Sequence, residues 1–193
     1  MKLSPIMMEG ESTFNAFAFL RNGAHGLLEI AKGHREGSNY SRISAVLFST
    51  FAVEAYLNHI GEARMPSWET EQSKLSWRDK LDLIAQQLNI EPDFGVRPFQ
   101  TLIEVFKFRN KLAHGRTTTA EFTYRSTGKA EEDFAPLDPE WLRKYWSDDA
   151  VERVLLDTGK IMELVHEKAG YNKHELHLIS SGNFSERKRE RDA

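Results

Sequence analysis

A chain of 193 residues is long enough for one domain with a substantial core and too short for two full ones. Its 40% apolar and 28% charged residues fit a globular chain rather than a disordered one. The net charge of −3 argues against a general nucleic-acid coat, which gains affinity by neutralising many phosphates, and the absence of cysteine excludes disulfides, thiolate metal sites and a cysteine nucleophile.

The N-terminal stretch Met1 to Glu11 meets a proline and two glutamates before any apolar run can form, unlike a signal peptide. A first helix is predicted over about Ser12–Lys32, where Phe17, Leu20, Ala24, Leu27, Leu28 and Ala31 recur at three- and four-residue steps. A second, over about Ser41–Ala63, carries apolar residues around most of its circumference and is expected to be the central helix. Its longest apolar run, Ala45–Val53, is about half a membrane span and is broken by Ser49 and Thr50, so a soluble cytoplasmic protein with no membrane partner is expected.

Arg64–Lys74 reads as a loop, and Ser76 with Asp79 three residues on predicts a capped helix carrying Trp77, Leu81, Ile84 and Leu88. Pro98 suits the first turn of the next helix, which Phe99, Leu102, Ile103, Val105, Phe106 and Leu112 line and Gly115 terminates. The segment 117–139 is expected to be an irregular or β-hairpin insertion around Ser126–Gly128, followed by an acidic linker. A last helix over about Asp148–Ala169 shows near-heptad spacing and ends at Gly170. The sequence therefore predicts an all-α antiparallel bundle of four to five helices in a single domain over 1–179, with a basic, disordered tail over 180–193.

Charge is unevenly spread. Arg97 to Arg116 holds Arg97, Lys107, Arg109, Lys111 and Arg116 against Glu104 alone, a local +4, whereas Glu131 to Asp149 is locally −5. A focused basic site on an acidic chain is thus permitted. His174-Glu175-Leu176-His177 falls one residue short of a zinc-protease pair and lacks a third ligand, so no metal and no other cofactor is expected.

The end of the fourth helix, Phe108-Arg109-Asn110-Lys111-Leu112-Ala113-His114-Gly115, gathers groups suited to phosphate chemistry. At about 100° per residue Asn110 and His114 share a face, with Arg109 about 140° from His114. Lys111 and Arg116 add positive charge, and the free carbonyls of a last helical turn suit a cation. These groups would support attack of an RNA 2′-hydroxyl on the adjacent phosphate, with His114 as acid or base and Arg109 binding the charge at phosphorus, a scheme that needs no metal. Equally, Arg, Asn, Lys and His before glycine are good C-terminal helix residues, so a simple helix cap accounts for the same octet.

The octet resembles the motif of the HEPN superfamily, in which Arg, a polar residue, three variable residues and His end a helix. Phe51-Ala52-Val53-Glu54-Ala55-Tyr56-Leu57-Asn58 is similar to the Glu- and Asn-bearing helix of many members. The resemblance covers the helix order from about Ser12 to Leu164, and its specific part is the octet. It implies an up-and-down bundle, a homodimer with both motifs facing across the interface, and metal-independent endoribonuclease activity. Arg109 and His114 inherit the catalytic positions, with Asn110 as the polar companion. Many members are toxins or phage-defence factors, some with an antitoxin that modifies a tyrosine two residues after the His, where this chain has Arg116.

Glu54 on the central helix calls for a partner, either Arg109 or another core cation. Asn58 reads as a helix-packing hydrogen bonder, and Tyr56 and Trp77 as core or interface aromatics, with stacking on an unpaired base as the alternative. Three functions remain open at this level: a homodimeric ribonuclease cleaving single-stranded RNA, a non-catalytic HEPN domain binding RNA, nucleotide or a protein, and a helical interaction module.

Overall fold

The computed structural model describes residues 7–117, 119, 121 and 138–186. Strand β1 (Met8–Phe14) leads into α1 (Ala16–Gly33) and α2 (Ser38–Arg64). The short α3 (Trp68–Glu71), α4 (Trp77–Leu88), α5 (Phe99–Ala113), the short α6 (Glu140–Arg143), α7 (Asp148–Lys168) and strand β2 (Ser180–Glu186) follow. The chain is mostly helical, with one small two-stranded sheet. The hairpin expected after α5 and the acidic linker lie mostly outside the described residues.

Local chemistry sets several boundaries. Ser76 and Asp79 form the expected capping box, the Ser76 amide donating to the Asp79 carboxylate at 2.9 Å and the Asp79 amide to the Ser76 hydroxyl at 3.2 Å. Ser147 caps α7 by accepting from the Ala150 amide. Gly170 ends that helix region with φ of 78°, a conformation open to glycine. The stretch read as loop after α2 instead contains α3, because Trp68 is buried against Gly61. A Cβ at Gly61 would lie 2.1 Å from the Trp68 ring, so only glycine admits this contact.

Helix α2 is central, burying Val46, Val53, Tyr56, Leu57 and Ile60 among α1, α4, α5 and α7. It is long and apolar enough by length and composition to cross a membrane, yet half of its most apolar window is buried in the domain, as in a core helix. Polar contacts along it reveal its direction against α7: Arg42 meets Asp148 at 2.7 Å, Ser49 meets Thr158 at 2.7 Å, and Tyr56 meets His166 at 2.9 Å. Residue numbers rise together, so α2 and α7 are parallel. Helix α1 is antiparallel to both, with Phe17 against Tyr56 and Gly23 against Phe48, and with Arg21 on Glu163 and Lys32 on Glu152.

Two expectations at the chain ends need correction. The first helix starts at Ala16 rather than Ser12, and the stretch from Ser180 to Glu186, assigned by sequence to a disordered tail, is a strand antiparallel to β1. Neither strand alternates apolar and polar residues, so side-chain periodicity does not announce them; pairing is through the backbone. Asn15 ties the two ends together, its amide donating to the Ile179 carbonyl at 2.8 Å and its side chain to the Leu178 carbonyl at 2.7 Å.

Helix α5 is fixed to α7 at its start. Asp157, only 2% exposed, receives Arg97 Nε at 2.6 Å, Arg97 Nη2 at 2.9 Å and the Thr101 hydroxyl at 2.6 Å. Burial pushes this carboxyl up, but the Arg97 fork and the Thr101 hydrogen bond outweigh it and hold the group below the usual carboxylate range. A depressed folded-state pKa contributes stability that is present above the unfolded value of about 4 and is lost as pH falls through the folded value. Urea unfolding is therefore expected to show Arg97→Ala destabilised at neutral pH, since it leaves the buried Asp157 carboxylate without its paired cation. The deficit should shrink as pH falls below about 4 and through the depressed folded-state pKa, where that carboxylate becomes protonated; a deficit independent of pH would contradict the assignment.

Candidate functional site

The residues of α5 divide into two arcs. Thr101, Leu102, Val105, Phe106 and Phe108 are buried, whereas Ile103, Lys107, Asn110, Lys111 and His114 are exposed. At about 100° per residue, Arg109 falls between Val105 and Leu102 in the middle of the buried arc. A cation there needs an acceptor, and α2 supplies one: Arg109 Nη2 donates to Glu54 Oε2 at 2.8 Å. Of the two partners that the sequence leaves open for Glu54, the structure selects Arg109.

Aromatic rings complete the seat of this pair. The Arg109 guanidinium carbon lies 5.3 Å from the centre of the Phe106 ring, and Trp77 of α4 stacks on Phe106 at 4.4 Å and 6°. Arg109 Nε is buried and has no hydrogen-bond partner among the described residues. The same holds for Asn58 Oδ1, one turn beyond Glu54, so the hydrogen bond expected of Asn58 is not made by that oxygen. Trp77 thus gives one face to the core, and Tyr56, fully buried and bonded to His166, is closed to any ligand.

The helix end differs in detail from its sequence pattern. Helix α5 stops at Ala113, and His114 is its C-terminal cap with φ of −114° and ψ of 18°, its amide donating to the Asn110 carbonyl at 3.0 Å. Gly115 does not take a positive φ. Its requirement is steric, because a Cβ there would lie 2.9 Å from the Lys111 carbonyl oxygen. Among the described residues nothing bonds to the His114 ring, which is exposed together with Asn110, Lys111 and Arg116.

The site residues therefore form two groups within one chain. Arg109 and Glu54 are joined, half-buried, on the inner side of α5, with side-chain exposures of 23% and 31%. Asn110, Lys111 and His114 stand on the outer side, and no hydrogen bond links Arg109 to His114. Such an arrangement offers a fixed guanidinium and a free imidazole at one helix end.

Other residues that sequence alone did not single out frame the same helix. Lys144 donates to Glu104 at 2.7 Å, and the Lys111 ammonium sits 4.6 Å from the centre of the Trp141 ring. Phe108, buried on α5, packs edge-on against Trp141 and Tyr145. Asp157 was within reach of sequence reasoning, as an acid set between Val154 and Ile161 in an apolar stripe.

Among the described residues no group of three or more His, Cys, Asp or Glu is placed to hold a metal ion. The His174–His177 stretch is a 3-10 turn that buries Leu176, and a ring nitrogen of His177 accepts from Arg21 at 2.6 Å. Burial and the nearby Arg21 charge both lower the His177 pKa, which favours the neutral accepting ring.

Compared with known protein families, curated proteins and solved structures, the chain matches none of them. Function is accordingly argued from the site itself.

If Glu54 positions Arg109, a double-mutant cycle of Glu54→Gln and Arg109→Lys measured by thermal or urea unfolding should give a coupling of about 1 kcal/mol, as expected for a half-buried charged hydrogen bond. Additive effects would show the pair to be incidental.

Proposed function

We propose that the chain is a HEPN-type endoribonuclease that cleaves single-stranded RNA without a metal and acts as a homodimer. The observation that carries this reading is the tethered Arg109 on the inner side and the free His114 on the outer side of the same end of α5. Glu54 and the Phe106 ring hold the guanidinium in one orientation, while the exposed imidazole is able to meet a substrate. A pre-oriented cation costs no reorganisation as charge develops in a transition state.

In the proposed reaction a base takes the proton of a 2′-hydroxyl, and the resulting oxygen attacks the adjacent phosphorus. The 5′-oxygen leaves with a proton from an acid, giving a 2′,3′-cyclic phosphate and a 5′-hydroxyl. Imidazole serves as acid or base, and Arg109 neutralises the pentacoordinate phosphorus through its N–H groups. Asn110 hydrogen-bonds the phosphate or the attacking group, and Lys111 and Arg116 hold the strand. One His per chain is sparse for two proton transfers, so a two-fold dimer that joins two motifs supplies the second. A toxin or phage-defence role in the cytoplasm, restrained by an antitoxin partner, is the biological setting this chemistry suits.

A second reading has its own support. Arg109 faces Glu54 on the inner side of α5, about 140° around the helix from His114. A non-catalytic domain that binds RNA, nucleotide or a partner protein needs no closer approach.

The two readings part on one experiment. The purified chain and its His114→Ala and Arg109→Ala variants are incubated with single-stranded RNA in EDTA, and the product ends are analysed. The ribonuclease reading expects cyclic-phosphate ends, with each variant slowed by about a hundredfold or more. Binding without cleavage, weakened by Arg109→Ala, selects the second reading. Neither binding nor cleavage by the unaltered chain leaves the octet as a helix cap.

A further inference from the structure

Beside the exposed arc of α5 lies a cleft of about 310 Å³, walled on the other side by α6 and the turn after it. Glu104, Lys107, Lys111 and Lys144 surround an aromatic floor that includes Trp141 and Tyr145. Its volume falls at the lower end of the range for small-ligand pockets, about 300–1,000 Å³, which suits one nucleotide-sized group.

Among the described residues its positive charge is only partly compensated. Glu104 is engaged by Lys144 at 2.7 Å, and among the described residues Lys107 and Lys111 have no carboxylate partner. Among the described residues, two ammonium groups without a carboxylate partner thus line one hollow of a chain whose net charge is −3. The Lys111 ammonium, which lines the cleft, lies 4.6 Å from the centre of the Trp141 ring.

Trp141 is suited to contact a flat ligand. The edge-on Phe108, at 5.8 Å and 62°, restrains its ring, which is only partly buried. It also borders a neighbouring hollow of about 550 Å³ lined by Glu140, Arg143 and Lys144. A restrained aromatic ring beside several lysines is the combination that binds single-stranded nucleic acid, where bases stack and lysines follow the phosphates.

The cleft is also aligned with the candidate site. Lys107, Lys111 and His114 follow at steps of four and three residues, so they lie on one face of α5, with about 10 Å of axial rise from first to last. A strand lying along that face would pass from the cleft to the imidazole.

We propose that this cleft holds a nucleotide flanking the cleaved phosphate of a single-stranded RNA, its base against Trp141 and its phosphate between Lys107 and Lys111. The proposal rests on the ribonuclease reading for its substrate but on separate residues for its site. It assigns Lys107 and Trp141, neither of which belongs to the motif, to substrate binding.

The test measures affinity, by fluorescence anisotropy of a labelled short oligoadenylate, for the full-length His114→Ala chain over a range of salt concentrations. Adding Trp141→Ala should weaken binding by about tenfold, and Trp141→Phe should restore most of it, as stacking requires. Lys107→Gln and Lys111→Gln should each reduce the slope of log affinity against log salt by about 0.7, the release expected for one single-strand phosphate contact. Thermal melts matching the parent protein establish that each variant is folded.

If the unaltered chain cleaves RNA while the folded cleft variants bind like their parent, the cleft proposal is overturned and the ribonuclease reading stands. If the unaltered chain neither binds nor cleaves RNA, both fall together. Equal losses for Trp141→Ala and Trp141→Phe overturn the stacking role, since phenylalanine keeps an aromatic face.

Discussion

Asp157 can stand in the buried seam between α5 and α7 because Arg97 closes on it with two N–H groups and Thr101 adds a hydroxyl. A carboxylate so placed tolerates little displacement of its donors, as losing any of them would leave buried charge unsatisfied. Arg97 precedes α5 and Thr101 is in its first turn, so the cluster fixes both where that helix starts and how it is rotated. Everything at its far end follows from that rotation. Leu102, Val105 and Phe106 turn inward with Arg109 among them, and Lys107, Asn110 and His114 turn outward.

Arg109 is consequently a core-side cation, and its pairing with Glu54 is a requirement of burial before it is anything else. The same contact gives the guanidinium a defined orientation, aided by the Phe106 ring. The two descriptions agree: a residue held still for structural reasons is preorganised for binding charge. His114 is in the opposite situation, beyond the last helical residue and without a side-chain partner among the described residues. In the proposed dimer, bringing these unlike groups to one phosphate is the task of the contact between two chains.

The parallel packing of α2 on α7 rests on polar contacts as much as on apolar ones. Arg42, Ser49 and Tyr56 are spaced seven residues apart, and each meets a polar partner on α7. His166, which bonds Tyr56 through one ring nitrogen, donates through the other to the Asn172 carbonyl at 2.7 Å. These contacts set the register of two otherwise slippery apolar surfaces. At the chain ends, Asn15 performs a comparable service by bringing β1 and β2 into register without buried side chains.

The sequence by itself determined the five long helices, because apolar periodicity, the Ser76–Asp79 capping box and the Gly170 stop are local signals. It also determined the candidate octet and the need of Glu54 for a cation, since a charge on an apolar helix face must be met. Only the tertiary structure decided that the cation is Arg109, that Arg97 reaches Asp157 sixty residues away, and that Trp141 stands beside Lys111. The strands were equally beyond the sequence, which offers no alternation in Met8–Phe14 or Ser180–Glu186. The physical reason is the same in each case. Local propensity acts over a few residues, whereas partners for buried charge, ring faces and strand edges are chosen by packing between segments far apart in the chain.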